Sequence, residues 1–176
     1  APGGSVSVGD FVFIDVNRDG IQNTGDIPVP GATLTLTGPD GGPVTDVNGD
    51  PVGPTTTDSN GAYSFDDLPI LDAGESYTVT IDPTTAPTLA GLLPTQTGQG
   101  TSATDSSTGS ASSTGLTEDG DRDSTLDFGF VVPDDQLPAT GGSVWDSLRF
   151  ALLALGAGML LVLVARRARR GAVVAS

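Results

Sequence analysis

The residues best able to do chemistry in this chain are the oxygen-bearing ones of Asp15-Val16-Asn17-Arg18-Asp19-Gly20-Ile21-Gln22-Asn23-Thr24-Gly25-Asp26. They fit D-x-[DN]-x-[DN]-G-x5-[DE], the spacing of a calcium-binding loop. Side-chain oxygens at loop positions 1, 3 and 5 come from Asp15, Asn17 and Asp19. Position 7 offers the Ile21 carbonyl, and Asn23 at position 9 could bind through water. Gly20 permits the sharp turn that the loop needs. Asp26 stands at position 12, where a bidentate Glu is usual. Its side chain is shorter, so a modest affinity is expected. The alternative for the same residues is an acidic turn with no metal.

Composition narrows the chemistry further. There is no His and no Cys. Zinc and copper therefore lack their preferred ligands, and Ser–His or Cys–His catalysis has no base or thiol. Any metal should be hard and oxygen-ligated, which points to Ca2+. No disulfide can brace the fold. Two arginines and 21 acidic residues precede Leu137, a formal charge of −19 that repels nucleic acid. The neighbouring carboxylates Asp66-Asp67 and Glu118-Asp119 could in principle cleave glycosides, but they read as solvated turns. No nucleophile–base pair is in sight, and the chain is not expected to be an enzyme.

The loop sits in an all-β context. It follows the apolar run Phe11–Ile14, suited to a strand buried on both faces, and precedes Pro28 and Pro30, which discourage a helix. Leu34 and Leu36 alternate with Thr33, Thr35 and Thr37. Tyr77, Val79 and Ile81 alternate with Ser76, Thr78 and Thr80, and Leu126, Phe128 and Phe130 with Asp127 and Gly129. Each reads as a half-buried strand of period two. Thr55–Asp58 and Ala62–Phe65 flank Ser59-Asn60-Gly61 as a hairpin. Gln96–Thr114, mostly Ser, Thr, Gly and Ala, reads as a mobile loop inside the domain. About seven short strands suggest a β-sandwich of immunoglobulin-like size over residues 6–132. Residues 1–5 read as a linker from something upstream.

The C-terminal part has a different order of elements. Leu137-Pro138-Ala139-Thr140-Gly141 lies in a linker, residues 133–143. An apolar run over residues 144–165 follows, and then a basic tail, residues 166–176, with Arg166, Arg167, Arg169 and Arg170. A helix of 22 residues at about 1.5 Å each spans the ~30 Å hydrocarbon core. The arginines set its orientation, with the C-terminus in the cytoplasm. The three elements in this order resemble the cell-wall sorting signal of sortase substrates. The resemblance implies cleavage between Thr140 and Gly141 by a sortase, with the precursor held in the membrane until cutting. Thr140 would then be joined covalently to a peptidoglycan precursor.

A second resemblance rests on three separated blocks. They are Val8-Gly9-Asp10-Phe11-Val12-Phe13-Ile14-Asp15 with Asn17-Arg18-Asp19-Gly20-Ile21-Gln22; Thr56–Phe65 with Leu68-Pro69; and Leu126-Asp127-Phe128-Gly129-Phe130. Together these resemble the SD-repeat B (SdrD B-like) domain of Gram-positive surface proteins. The resemblance implies a calcium-stabilised, Cna-B-type Greek-key sandwich, often strung in tandem as a stalk. The acidic pair often found upstream of the closing strands is reduced here to Asp105. A second calcium site with Asp119, Asp121 or Asp123 is therefore not expected, and those three read as a solvated turn. Related Cna-B domains carry a Lys isopeptide bond, and this chain has no Lys to form one.

The resulting expectation is a secreted, wall-anchored protein in which this domain is a calcium-stabilised spacer for an upstream region. The alternative is an adhesin that binds a host or neighbouring-cell ligand directly. Adhesion favours exposed apolar patches, whereas alternation puts most of Phe11, Phe13, Tyr63, Phe65, Tyr77, Phe128 and Phe130 inside.

Overall fold

A computed structural model of the chain describes residues 3–101 and 103–133. The expected sorting signal at Leu137–Gly141, the expected membrane span and the arginine tail lie outside the described residues. Among the described residues no helix is long and apolar enough to cross a membrane.

The described part is all-β and built from two sheets, as the alternating runs require. The first sheet is organised around β1, Ser5–Ile14, which pairs along both edges. On one edge its N-terminal half lies antiparallel to β5, Ala62–Pro69, and its C-terminal half antiparallel to β2, Ile27–Pro28. On the other edge it runs parallel to β9, Arg122–Asp123, and then to β10, Phe128–Val131. β7, Leu93–Pro94, extends the sheet beyond β10. The second sheet has the order β4-β3-β6-β8: Thr55–Thr56, Thr33–Thr37, Thr78–Asp82 and Ser110–Ser112.

The core lies between the sheets and follows the period-two pattern. Leu34, Leu36, Val79 and Ile81 from the second sheet are buried, with the intervening threonines at the surface or half-buried. Val8, Val12, Phe65, Leu68 and Phe128 answer them from the first. Tyr63 packs edge-on against Phe65 and tilted against Phe128, with ring centroids 6.2 and 6.4 Å apart. Of the seven aromatic residues, most of them expected inside, six are buried and Phe11 is half-buried.

Three expectations are corrected. Residues 126–130 are not half-buried: Asp127 and Gly129 are buried as well as their neighbours, because residues 95 and 106 cover the second face of β10. Residues 55–58 and 62–65 do meet at a tight turn, in which Asp58 accepts from Asn60 N–H and Ala62 N–H at 2.7 and 3.0 Å. The two strands nevertheless join different sheets, so the turn is a corner between layers and not a hairpin.

The segment 96–114 is the third. It is pinned to the sandwich: β8 lies within it, and Ser106 and Ser113 are buried. Its small residues let the backbone run close to both sheets. Ser113 Oγ accepts from Tyr77 N–H at 2.9 Å, and Ser106 Oγ from Gly129 N–H at 2.7 Å. These serines satisfy backbone groups that larger apolar residues could not.

Candidate metal centre

The loop begins where β1 ends. Asp15 continues the buried face of that strand, its N–H donating to Phe130 O of β10 at 2.8 Å, and is fully buried. Its carboxylate organises the turn. Oδ1 accepts from Arg18 N–H at 2.6 Å, and Oδ2 from Gly20 N–H at 2.8 Å and from the Thr95 hydroxyl. Arg18 adopts a left-handed φ of 62° and its guanidinium donates to Val132 O, so the loop is tied to the chain leaving β10. Gly20 has φ 75°, and a Cβ there would lie 2.6 Å from Gln96 O. Glycine is thus required twice, for conformation and for space.

The outer part of the loop gathers side chains. Asp19 Oδ2 accepts from the amides of Asn17 and Asn23 at 2.6 and 2.7 Å, and Asp19 Oδ1 from Ile21 N–H at 2.9 Å. Asp26 closes the loop, taking Val16 N–H at 3.0 Å and Asn23 N–H at 2.9 Å. Asp26 therefore reaches back to the loop's start. Desolvation pulls the Asp19 carboxyl up, and hydrogen bonds from Ile21, Asn17 and Asn23 outweigh it and hold it below the ordinary value. Burial pushes Asp26 up, hydrogen bonds from Asn23 and Val16 oppose that, and the charges of Asp15 and Asp19 add to the rise.

All six sequence-selected positions, Asp15, Asn17, Asp19, Ile21, Asn23 and Asp26, thus belong to one closed loop. Their donor set is oxygen only, which suits a hard cation. Among the described residues no group of three or more acidic side chains is arranged to hold a metal ion. Asp15 and Asp26 face N–H groups, while Asn17, Asp19 and Asn23 converge.

Residues distant in sequence complete the loop's surroundings. Thr95 contacts Asp15, and residues 104–106 run alongside: Gln22 N–H donates to Thr104 O at 2.9 Å, Ser106 N–H to Gly20 O at 3.3 Å, and Ile21 bridges Asp105. Neither Thr95 nor this segment carried a signal, since the contacts span about eighty residues.

The acidic residues near the closing strands each take their own hydrogen-bond donors. Asp105 accepts from Gln99 N–H, Asp119 from Ser5 N–H, and Asp121 from Thr117 and Glu118 N–H groups. Asp123 is buried, and so is no solvated turn residue; its partners are Thr114 N–H, Thr125 N–H and the Thr125 hydroxyl.

Residues 6–130 match the family model of the SdrD B-like domain. The chain is 35% identical over 140 residues to serine-aspartate repeat-containing protein F of Staphylococcus epidermidis, covering 80% of this chain and 7% of that protein. It is 36% identical over 124 residues to serine-aspartate repeat-containing protein E of Staphylococcus aureus, covering 70% of this chain and 9% of that protein. A shorter match, 44% over 64 residues, is to Colossin-B of Dictyostelium discoideum, covering 36% of this chain and 2% of that protein. The chain thus spans less than a tenth of the length of these relatives. The extent of the match and the two-sheet sandwich lead to one conclusion: the chain belongs to the SdrD B-like domain family, whose members are structural modules and not enzymes.

Proposed function

We propose that this domain is a spacer in a secreted surface protein, stiffened by calcium and fixed to the cell wall through Thr140. The observation that carries the spacer reading is the parallel pairing of the first and last strands, Val12 beside Phe128 and Ile14 beside Phe130. Because β1 and β10 run the same way, the chain arrives at one end of the sandwich and leaves at the other. β1 has 10 residues, so at ~3.3 Å per residue the two ends lie roughly 30 Å apart. A domain threaded this way adds its own length to a stalk.

The calcium reading is supported by the oxygen-only loop and by the negative charge that accumulates around Asp26. Asn17, Asp19 and Asn23, with the Ile21 carbonyl and the carboxylates of Asp15 and Asp26, would hold the ion. Its chemistry would be charge neutralisation and cross-linking of the loop, with no catalytic step. The anchoring reading rests on the sequence at Leu137–Gly141. A sortase cysteine would break the Thr140–Gly141 amide to give a thioester at Thr140 and a free Gly141 amine. An amine of the peptidoglycan precursor would then take the acyl group and release the thiol.

The adhesin reading draws no comparable support. Among the described residues the exposed large apolar side chains are Ile70 and Leu93.

The absence of Cys makes a direct test simple. Spin labels on Gly3→Cys and Pro133→Cys should give a separation of roughly 30 Å or more, with a narrower distribution in calcium than in EDTA. A separation below about 20 Å, two-thirds of the length of β1, would rule out the spacer geometry. Mass spectrometry of cell-wall digests should find peptides ending at Thr140 linked to peptidoglycan; recovery of uncut chain only would rule out the anchoring.

A further inference from the structure

Away from the loop, the first sheet holds a buried carboxyl that neither the spacer nor the anchoring role uses. Asp127 is fully buried between Leu126 and Phe128, one residue before β10. One oxygen, Oδ1, accepts from Phe11 N–H of β1 at 3.2 Å. The other, Oδ2, is the one buried side-chain oxygen among the described residues without a hydrogen-bond partner. The backbone of Asp127 is held from the opposite side, its carbonyl accepting from Ser107 N–H at 2.8 Å. The residue is therefore clamped between β1 and the segment preceding β8.

The surrounding charges are mostly of the same sign. Asp10 from β1 and Asp105 from the segment before β8 act on Asp127, Asp123 of β9 acts in turn on Asp10, and Tyr63 reaches across from β5 to Leu126 O at 2.6 Å. Arg122 acts on Asp10. An ionised Asp127 would thus be a buried charge with one bare oxygen, beside two further carboxyls. That is a far costlier arrangement than a neutral acid missing one hydrogen bond.

We propose that Asp127 is a proton lock on the closing strand: as the neutral acid it fastens β10 to β1, and loss of its proton loosens that strand.

Burial, the Asp10 charge and the Asp105 charge push the Asp127 carboxyl up to about 8, against the hydrogen bond from Phe11. Burial likewise raises Asp10 to about 6, with Arg122 opposing and Asp123 adding. The ordinary value of both groups is 3.8. Between the ordinary and the raised values the folded chain keeps a proton that the unfolded chain has released. The contribution is therefore full below the ordinary value, and it is lost as pH rises through about 8. This is the reverse of a carboxylate held by a salt bridge, which loses stability in acid.

The test uses the full chain in excess EDTA, with unfolding followed by calorimetry at several pH values, against Asp127→Asn. Asn keeps the shape and the acceptor for Phe11 but cannot ionise. The folding constant of the wild type should fall by roughly tenfold per pH unit between about pH 6 and 8, and the variant should lose most of that slope. Parallel profiles would overturn the lock. Should Asp127→Asn not fold, the carboxyl carbon shift of Asp127 in the wild type decides. Titration above pH 6 supports the lock, and titration near the ordinary carboxylate range overturns it. A third outcome is also decisive: if millimolar calcium restores stability at pH 8 in wild type and equally in Asp19→Asn, Asp127 holds a cation and the proton lock is wrong.

Discussion

Replacing Asp15 by Ala should destabilise the domain severely even with no calcium present. The side chain is fully buried and accepts from two backbone N–H groups and the Thr95 hydroxyl. Hydrogen bonds to a charged acceptor are worth about 1.5–3 kcal/mol each, and donors left buried without partners lose their hydration as well. The three contributions act on one carboxylate and are less than additive, because the loop can relax and admit water. About 3–5 kcal/mol is the expected loss. For a domain of this size that is roughly 10–20 °C in unfolding midpoint. Calorimetry in excess EDTA measures it without interference from metal. Asp15→Asn, which keeps one acceptor oxygen, should fall between the two. A midpoint for Asp15→Ala within about 2 °C of wild type, about half the shift expected of a 1 kcal/mol change, would refute the assignment of Asp15 as the keystone of the turn. The same reasoning means that Asp15 variants cannot report on calcium. The outer residues Asn17, Asp19 and Asn23 are the ones to change for that purpose.

Other consequences follow from single contacts. Gly61 has φ 77° and a Cβ there would lie 2.5 Å from Val12 O. Gly61→Ala should therefore lower stability by about 2–4 kcal/mol in chemical denaturation, through strain and a displaced strand. Tyr63→Phe removes the hydroxyl that donates to Leu126 O at 2.6 Å, and should lose about 1–2 kcal/mol with the slope on denaturant unchanged. Ser113→Val leaves Tyr77 N–H without its 2.9 Å acceptor and should cost about 1–3 kcal/mol. Faster hydrogen exchange at Tyr77 in that variant would trace the loss to this contact.

Much of the sandwich was legible because its strands carry the simplest pattern there is. Leu34 and Leu36 among threonines, and Val79 and Ile81 likewise, could only bury one face. The glycine and asparagine turns were legible for the same local reason. What escaped was set by tertiary contact. Asp127 sits in a run that alternates like a half-exposed strand, yet the serine-rich segment covers its outer face. That segment has no large apolar residues to announce burial, because its serines serve the backbone N–H groups of Tyr77 and Gly129. The Ser59-Asn60-Gly61 turn fixed a reversal of the chain, but nothing local says whether the two arms share a sheet. The loop's candidate positions could be picked out in sequence because they all lie within twelve residues. Its outer support, Thr95 and residues 104–106, comes from segments that only folding brings near.

The central claim, a calcium-stiffened spacer, is tested most directly by the unfolding midpoint of the chain in excess EDTA and in millimolar calcium, for wild type and Asp19→Asn. With a dissociation constant near 10⁻⁴ M and calcium about tenfold higher, one site contributes ~1.4 kcal/mol, a rise of roughly 3–8 °C. The account predicts that rise in wild type and its loss in Asp19→Asn. An unmoved wild-type midpoint, or an equal rise in the variant, would contradict it and leave the loop an acidic turn.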